Sequence, residues 1–140
     1  MKKASWIVLL IAGALVFVFS LASAVNAYWR NWAIGPTSLL KLGAVVPGTE
    51  IPLRAARSTA AAFGAAYAFL YLALVLGPYR RGEAWAWWAL LGSTLCFAVI
   101  VFLRVPLLGT TLGMIPAVEV LLLVLLGLGL DLGRIRGSRK

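Results

Sequence analysis

The residue best suited to chemistry is Glu119, an acid inside a long run of apolar side chains. The other acids, Glu50, Glu83 and Asp131, lie in more polar segments or at the end of an apolar run. Glu119 comes about eight residues into its run, which is roughly 12 Å along a helix. Because a charge at that depth in a bilayer costs at least about 2.5–3.5 kcal/mol, we expect Glu119 to face the interior of a helix bundle.

Polar side chains from the other apolar runs are predicted to form a hydrogen-bonded layer with Glu119. Counting inward from the outer ends of antiparallel helices places one polar residue of each run at its level. Pro116, which has no N–H, frees the carbonyl of Leu112 nearby. The predicted ligand-binding residues are Glu119, Thr94 (or Ser93 in a rotated helix), Tyr67, Ser20 and Arg104, with Arg54 and Arg57 as further candidates just above the layer.

Three roles remain open for Glu119. A protonated carboxyl group would hydrogen-bond Thr94 or Tyr67 and hold helices together, which contributes about 0.6 kcal/mol on average in membrane helices. Alternatively, Glu119 contacts another membrane protein. In the third role it binds a lipophilic small molecule, a cation or a proton, as a carrier or an isomerase with a buried acid would.

The composition of the chain excludes a water-soluble domain. Of its 140 residues, 63% are hydrophobic and 12% charged, against roughly 45–50% and about 25% in soluble proteins. The chain has no histidine, which excludes histidine-ligated haem and the usual general base. We predict no cofactor and no metal site, and the single cysteine, Cys96, leaves no intrachain disulfide.

Four segments are long and apolar enough to cross a bilayer, since a spanning helix needs about 20 residues. Their side chains do not alternate as those of barrel strands do. We therefore predict an all-α fold, a four-helix transmembrane bundle in a single domain over residues 1–140. The spans cover about residues 5–27, 58–76, 84–103 and 111–130. The first resembles a signal peptide, but its apolar stretch exceeds the usual length of about 7–15 residues, so an uncleaved helix is expected.

Basic residues predict the orientation of these spans. Eight of the thirteen Lys and Arg fall on the side of the termini and of the turn at 77–83, and five on the other. We predict a multi-pass protein of the cell (inner) membrane with both termini in the cytoplasm. The formal net charge of +9 is interpreted as headgroup anchoring rather than nucleic-acid binding, because no basic stripe with interleaved aromatic residues is present.

The connections between spans carry further predictions. Residues 28–57 form a semi-polar outer segment with a short interfacial helix over 36–46, acting as a cap on the bundle or as a lid over a pocket. Gly77 and Pro78 are expected to end the second span. Tyr79, Trp85, Trp87 and Trp88 then form an aromatic belt at headgroup level. Small residues four apart, Ala60 with Gly64 and Ala61 with Ala65, predict close internal helix packing, as do Gly127 and Gly129 more weakly.

The hairpin Pro78-Tyr-Arg-Arg-Gly-Glu-Ala-Trp-Ala-Trp-Trp-Ala-Leu90 resembles that of small bacterial four-helix membrane proteins of the DoxX-like group. The resemblance covers this hairpin and the general hydropathy. It implies a four-helix bundle and says little about activity.

Our leading functional prediction is a non-enzymatic membrane protein that binds through its helices to membrane-protein partners or to itself. The alternative is an internal site for a lipophilic small molecule, cation or proton centred on Glu119, and we leave open whether the protein is an enzyme. A channel or exporter is a third possibility, although small exporters carry an essential acid in the first helix and this chain has none there.

Overall fold

The computed structural model describes residues 2–29, 33–34, 37–109, 111 and 114–132. Its elements are α1 (Lys2–Trp29), β1 (Ala33–Ile34), β2 (Thr37–Ser38), α2 (Leu39–Val45), α3 (Glu50–Leu74), a π-helical turn (Val75–Tyr79), α4 (Ala84–Leu108) and α5 (Met114–Gly129). The all-α prediction is confirmed, apart from an antiparallel pairing of β1 with β2 that the sequence analysis missed. Predictions for Arg30, Pro36, Leu112 and the basic tail 133–140 fall outside the described residues.

Three described helical stretches are long and apolar enough to cross a membrane: Ala4–Trp29, Glu50–Tyr79 and Ala84–Leu107. They correspond to the first three predicted spans. The fourth predicted span contains α5, whose 16 residues extend about 24 Å. It is a shorter apolar helix, so a fourth crossing remains a prediction.

Two prolines lie inside helices near their ends. Residues 50–57, predicted to lie in the outer segment, belong to α3, and Pro52 occupies its first turn, where a missing N–H costs little. Pro106 lies within α4, which continues to Leu108 and ends at Gly109 with a φ of 61°. A proline near a helix end is therefore tolerated at both places.

The prediction that Gly77 and Pro78 end the second span is wrong. Helical structure continues through the π-helical turn, which contains Pro78, and extends to Arg81. The Arg80 N–H is bonded to the carbonyls of Val75 and Gly77, so the wider turn absorbs the proline. The helix ends at Gly82, whose φ of 96° is the left-handed conformation that favours glycine.

The chain divides into two compact units, which we call the central unit (Leu15–Phe69) and the terminal unit (Met1–Ala14 with Leu70–Lys140). In the central unit, small residues let α3 approach the second half of α1. A Cβ added at Gly64 would lie 2.6 Å from the Ser20 Oγ, and Ala61 and Ala68 are buried. The predicted internal packing is confirmed at Gly64 and Ala61, whereas Ala60 is exposed.

The short helix α2 is confirmed within its predicted range. Ser38 caps its N-terminus by accepting a hydrogen bond from the Lys41 N–H at 3.3 Å. Leu39 is buried, whereas Leu40 and Val45 are exposed. Because the exposed residues are apolar, the helix is amphipathic only in part.

The core of the terminal unit surrounds one serine hydroxyl. The Ser5 Oγ donates to the Gly127 carbonyl at 2.7 Å and lies 2.5 Å from the Tyr79 Oη. Since Ser5 has a single hydroxyl hydrogen, Tyr79 is the donor in the second bond. Both side chains are 0% exposed. The bonds therefore join α1, the π-helical turn and α5 inside the core.

Two aromatic residues assigned to the membrane belt belong instead to this core. Tyr79 and Trp87 are buried, and the Trp87 Nε1 donates to the Leu128 carbonyl at 3.1 Å. Burial lets each ring pack while its polar atom finds a partner. Trp85 and Trp88 are exposed, as residues of such a belt must be.

Glycine at position 127 permits close contact between α5 and α1. An added Cβ would lie 2.7 Å from a methyl carbon of Leu9, which is itself fully buried. We expect Gly127→Ala to lower the free energy of unfolding by about 1–3 kcal/mol through overpacking. Unfolding of the purified protein in detergent, followed by circular dichroism, measures this change.

Gly129 provides a control on the same helix, because an added Cβ there meets nothing within 4 Å. Gly129→Ala should leave the stability unchanged or raise it slightly. Adding Leu9→Ala to Gly127→Ala should relieve the overpacking. Equal losses in the two glycine variants would contradict this account of the contact.

Candidate functional site

Glu119 does not face the interior, which corrects the expectation from the sequence. The buried residues Ala117, Val124, Gly127 and Leu128 mark the inward face of α5. At 100° per residue, Glu119 lies about 140–180° around the helix from three of them and about 80° from Gly127. Its side chain is exposed. The sequence did not predict this orientation, because the hydropathy of a helix that is apolar on all sides does not indicate which face is buried.

Glu119 lies at the centre of an apolar stripe on the outer face of α5. Ile115, Leu122 and Leu126 are 75%, 60% and 57% exposed. They are spaced i−4, i+3 and i+7 from Glu119, so all four side chains share one face. We call this set the Glu119 face. In the described part of the chain, Glu119 forms no ion pair or hydrogen bond.

Thr94 is buried but makes its hydrogen bond within its own helix. Its Oγ1 donates to the Leu90 carbonyl at 2.8 Å, and the Ser93 Oγ donates to the same carbonyl at 3.1 Å. Thr94 is buried whereas Glu119 is exposed, so the two side chains do not form a shared polar layer.

The other predicted site residues do not add to a polar layer around Glu119. Arg104 is exposed near the C-terminal end of α4. Ser20 and Tyr67 are half-buried and belong to the central unit, where Ser20 packs against Gly64. The contacts within each unit therefore do not bring the predicted ligand-binding residues together into one site.

Arg54 and Arg57 bind the C-terminal end of α1 within the central unit. Arg54 donates to the Ala27 carbonyl at 2.8 Å and pairs with Glu50 at 2.9 Å. The Arg57 Nε donates to the Ser23 Oγ at 3.2 Å. A cation at a helix C-terminus satisfies carbonyls that the helix itself leaves unbonded. These two arginines were predicted near the layer but instead hold two helix ends together.

Sequence reasoning missed the buried polar residues of the terminal unit. Ser5 and Tyr79 form the hydrogen bonds described above, and Asp131 is only 3% exposed just after α5. Their positions in the sequence could have indicated this cluster, because all three lie at the same end of the predicted spans. Among the described residues, no group of three or more His, Cys, Asp or Glu is placed to hold a metal ion.

No protein family, no curated protein and no solved structure matches the chain. The resemblance of the hairpin at 78–90 to the DoxX-like group therefore stays a prediction.

Chemical labelling tests the direction of Glu119. In a Cys96→Ala background, we expect Glu119→Cys to react rapidly with a small maleimide in detergent, because the side chain is exposed. Ala117→Cys, two residues earlier on the buried face, should react at least tenfold more slowly. Mass spectrometry of timed samples gives both rates. Faster labelling at position 117 would restore the inward orientation of Glu119.

Proposed function

We propose that the protein is a non-enzymatic, multi-pass membrane protein that binds another membrane protein, or a second copy of itself, through the Glu119 face. The observation that carries this proposal is the exposure of Glu119 among the apolar residues of α5. It favours contact with another chain over the other two roles that the sequence left open for this residue.

The surroundings of α5 set the energetic cost of exposing Glu119. Ionisable residues in membrane segments almost always face protein or water, because a charge near the centre of the bilayer costs about 2.5–3.5 kcal/mol on insertion scales. Glu119 finds no partner among the described residues. A polar or basic group of a second chain, packed against the stripe, would remove that cost.

The apolar members of the Glu119 face supply the packing surface. In a bilayer, helices associate through van der Waals contact and hydrogen bonds rather than through the hydrophobic effect. Ile115, Leu122 and Leu126 flank Glu119 over about three turns of α5 and are exposed. One carboxyl group in such a stripe would select both the depth and the rotation of its partner helix.

An internal ligand site remains the alternative but has less support. It requires Glu119, Thr94, Tyr67 and Ser20 to converge. Thr94 hydrogen-bonds its own helix, and Glu119 lies on the opposite side of α5 from the core. A carrier or isomerase mechanism based on a buried acid therefore lacks its central residue.

The proposed topology has four crossings in the cell (inner) membrane, with α5 as the last and both termini in the cytoplasm. The charge bias of eight basic residues against five supports this orientation. The apolar character of α5, Met114–Gly129, supports its insertion beside α4. The resemblance of 78–90 to the DoxX-like hairpin is in keeping with four helices.

Removing the carboxyl group should release the partner. Native mass spectrometry of protein gently extracted from its own membrane should detect a stoichiometric protein companion or a second copy. We expect Glu119→Leu to reduce that complex at least fivefold, which corresponds to roughly 1 kcal/mol or more. Glu119→Gln keeps the shape and hydrogen-bonding capacity and should have a smaller effect.

Leu125→Ala is the matched control for this experiment, because Leu125 is exposed on α5 about 120° away from Glu119. It should leave the complex intact. A monomer without any companion in the unsubstituted protein would refute the proposal. So would equal losses in Glu119→Leu and Leu125→Ala.

Reporter fusions test the fourth crossing. A reporter active only in the cytoplasm, fused after Lys140, should be active. The same reporter fused after Gly109, before α5, should be inactive, because three crossings place that point outside the cytoplasm. Inactivity at both points would show that α5 does not cross the membrane.

A further inference from the structure

Trp6 and Arg80 come together at the surface of the terminal unit. The Arg80 Cζ lies over the Trp6 ring, 5.2 Å from its centroid, which is within the range of a cation–π interaction. The residues that precede them in the chain, Ser5 and Tyr79, are joined by the buried hydrogen bond described above. Because that bond fixes α1 against the π-helical turn, the core sets the position of the Trp6 ring beside Arg80.

The guanidinium of Arg80 is exposed and has no carboxylate partner among the described residues. Its neighbour Arg81 differs, because the Arg81 Nε lies 3.1 Å from Glu83 Oε1. The second oxygen of Glu83 accepts a hydrogen bond from the Trp85 Nε1 at 2.6 Å. A cation–π interaction occupies none of the five N–H donors of a guanidinium with a carboxylate or carbonyl. Arg80 therefore keeps the donors that bind a phosphate group in a bidentate manner.

The position of Arg80 along the chain places it at the level of lipid headgroups. The stretch Glu50–Tyr79, which is long and apolar enough to cross a membrane, ends one residue before it. The next such stretch belongs to α4, near whose start Trp85 and Trp88 are exposed. Exposed tryptophan is typical of the interface between bilayer and water. The donors of Arg80 are thus at the depth of the phosphate groups.

We propose that Arg80, held over the Trp6 ring, binds the phosphate group of one anionic phospholipid in the leaflet at this end of the helices. Lys2 and Lys3 precede Trp6 by about one turn of α1 and add positive charge there. A basic region attracts an anionic lipid more strongly than a zwitterionic one, which carries its own ammonium group. The proposal requires these helices to lie in a membrane but does not depend on the role of the Glu119 face.

Native mass spectrometry tests the proposal on the full-length protein in detergent with equal amounts of dioleoylphosphatidylglycerol and dioleoylphosphatidylcholine. We expect one phosphatidylglycerol to be retained in preference to phosphatidylcholine. Arg80→Gln should lower this preference about fivefold, the effect of one basic residue near an anionic surface. Arg81→Gln is the matched control, because it removes the same charge from an arginine that is already paired with Glu83. It should leave the preference within twofold of the unsubstituted protein.

A second pair of variants tests the role of the ring. Trp6→Leu should lower the preference about threefold, which corresponds to the loss of one exposed cation–π interaction. Trp85→Leu removes an exposed tryptophan that is bonded to Glu83 instead. The preference should therefore stay within twofold in that variant. Circular dichroism verifies that each variant is folded.

Three outcomes would overturn the proposal. The first is equal retention of the two lipids by the unsubstituted protein. The second is an equal loss of the preference in Arg80→Gln and Arg81→Gln, or in Trp6→Leu and Trp85→Leu, because general attraction to the interface would then suffice. The third is displacement of the bound lipid by an excess of inorganic phosphate, which would assign Arg80 to a free anion.

Discussion

The hydroxyl group of Ser5 is the interaction on which the terminal unit depends. It accepts a hydrogen bond from the Tyr79 hydroxyl and donates one to the Gly127 carbonyl. The side chains of Ser5 and Tyr79 are both fully buried. In an apolar medium, an unbonded hydroxyl costs several kcal/mol. The bonds can form only because Gly127 has no side chain, which allows α1 to come within contact of the α5 backbone. Hydrogen bonding and close packing therefore require each other at this point.

The need to hydrogen-bond polar groups also explains the positions of Arg54 and Arg57 in the central unit. The last carbonyls of α1 have no partner within the helix. Arg54 reaches the carbonyl of Ala27, and Arg57 reaches the Ser23 hydroxyl one turn earlier. Two positive charges thus hold the end of α1 against α3, while Glu50 balances one of them.

Glu119 has no such bond among the described residues, and the proposed function follows from that. Ser5, Arg54 and Arg57, by contrast, each bond a second helix of their own unit. Glu119 projects from α5 with three large apolar residues around it. To bring Glu119 into the core, α5 would have to rotate by roughly half a turn about its own axis. The packing of Gly127 against Leu9 and the bond from Trp87 to Leu128 prevent that rotation.

The sequence by itself determined the all-α class and the approximate position of three helices that are long and apolar enough to cross a membrane. Composition and run length suffice for these, because hydrocarbon leaves the backbone few alternatives to a helix. Pro78 misled the predicted end of the second span, because a π-helical turn accommodates this proline.

Only the tertiary structure decided which way each helix faces. Helices that are apolar on every side carry no hydropathy signal for rotation. Rotation follows instead from a few close contacts, such as Ser20 with Gly64 and Leu9 with Gly127. Those contacts turned Tyr79 and Trp87 inward and Glu119 outward, and no count of residues along the chain contains that information.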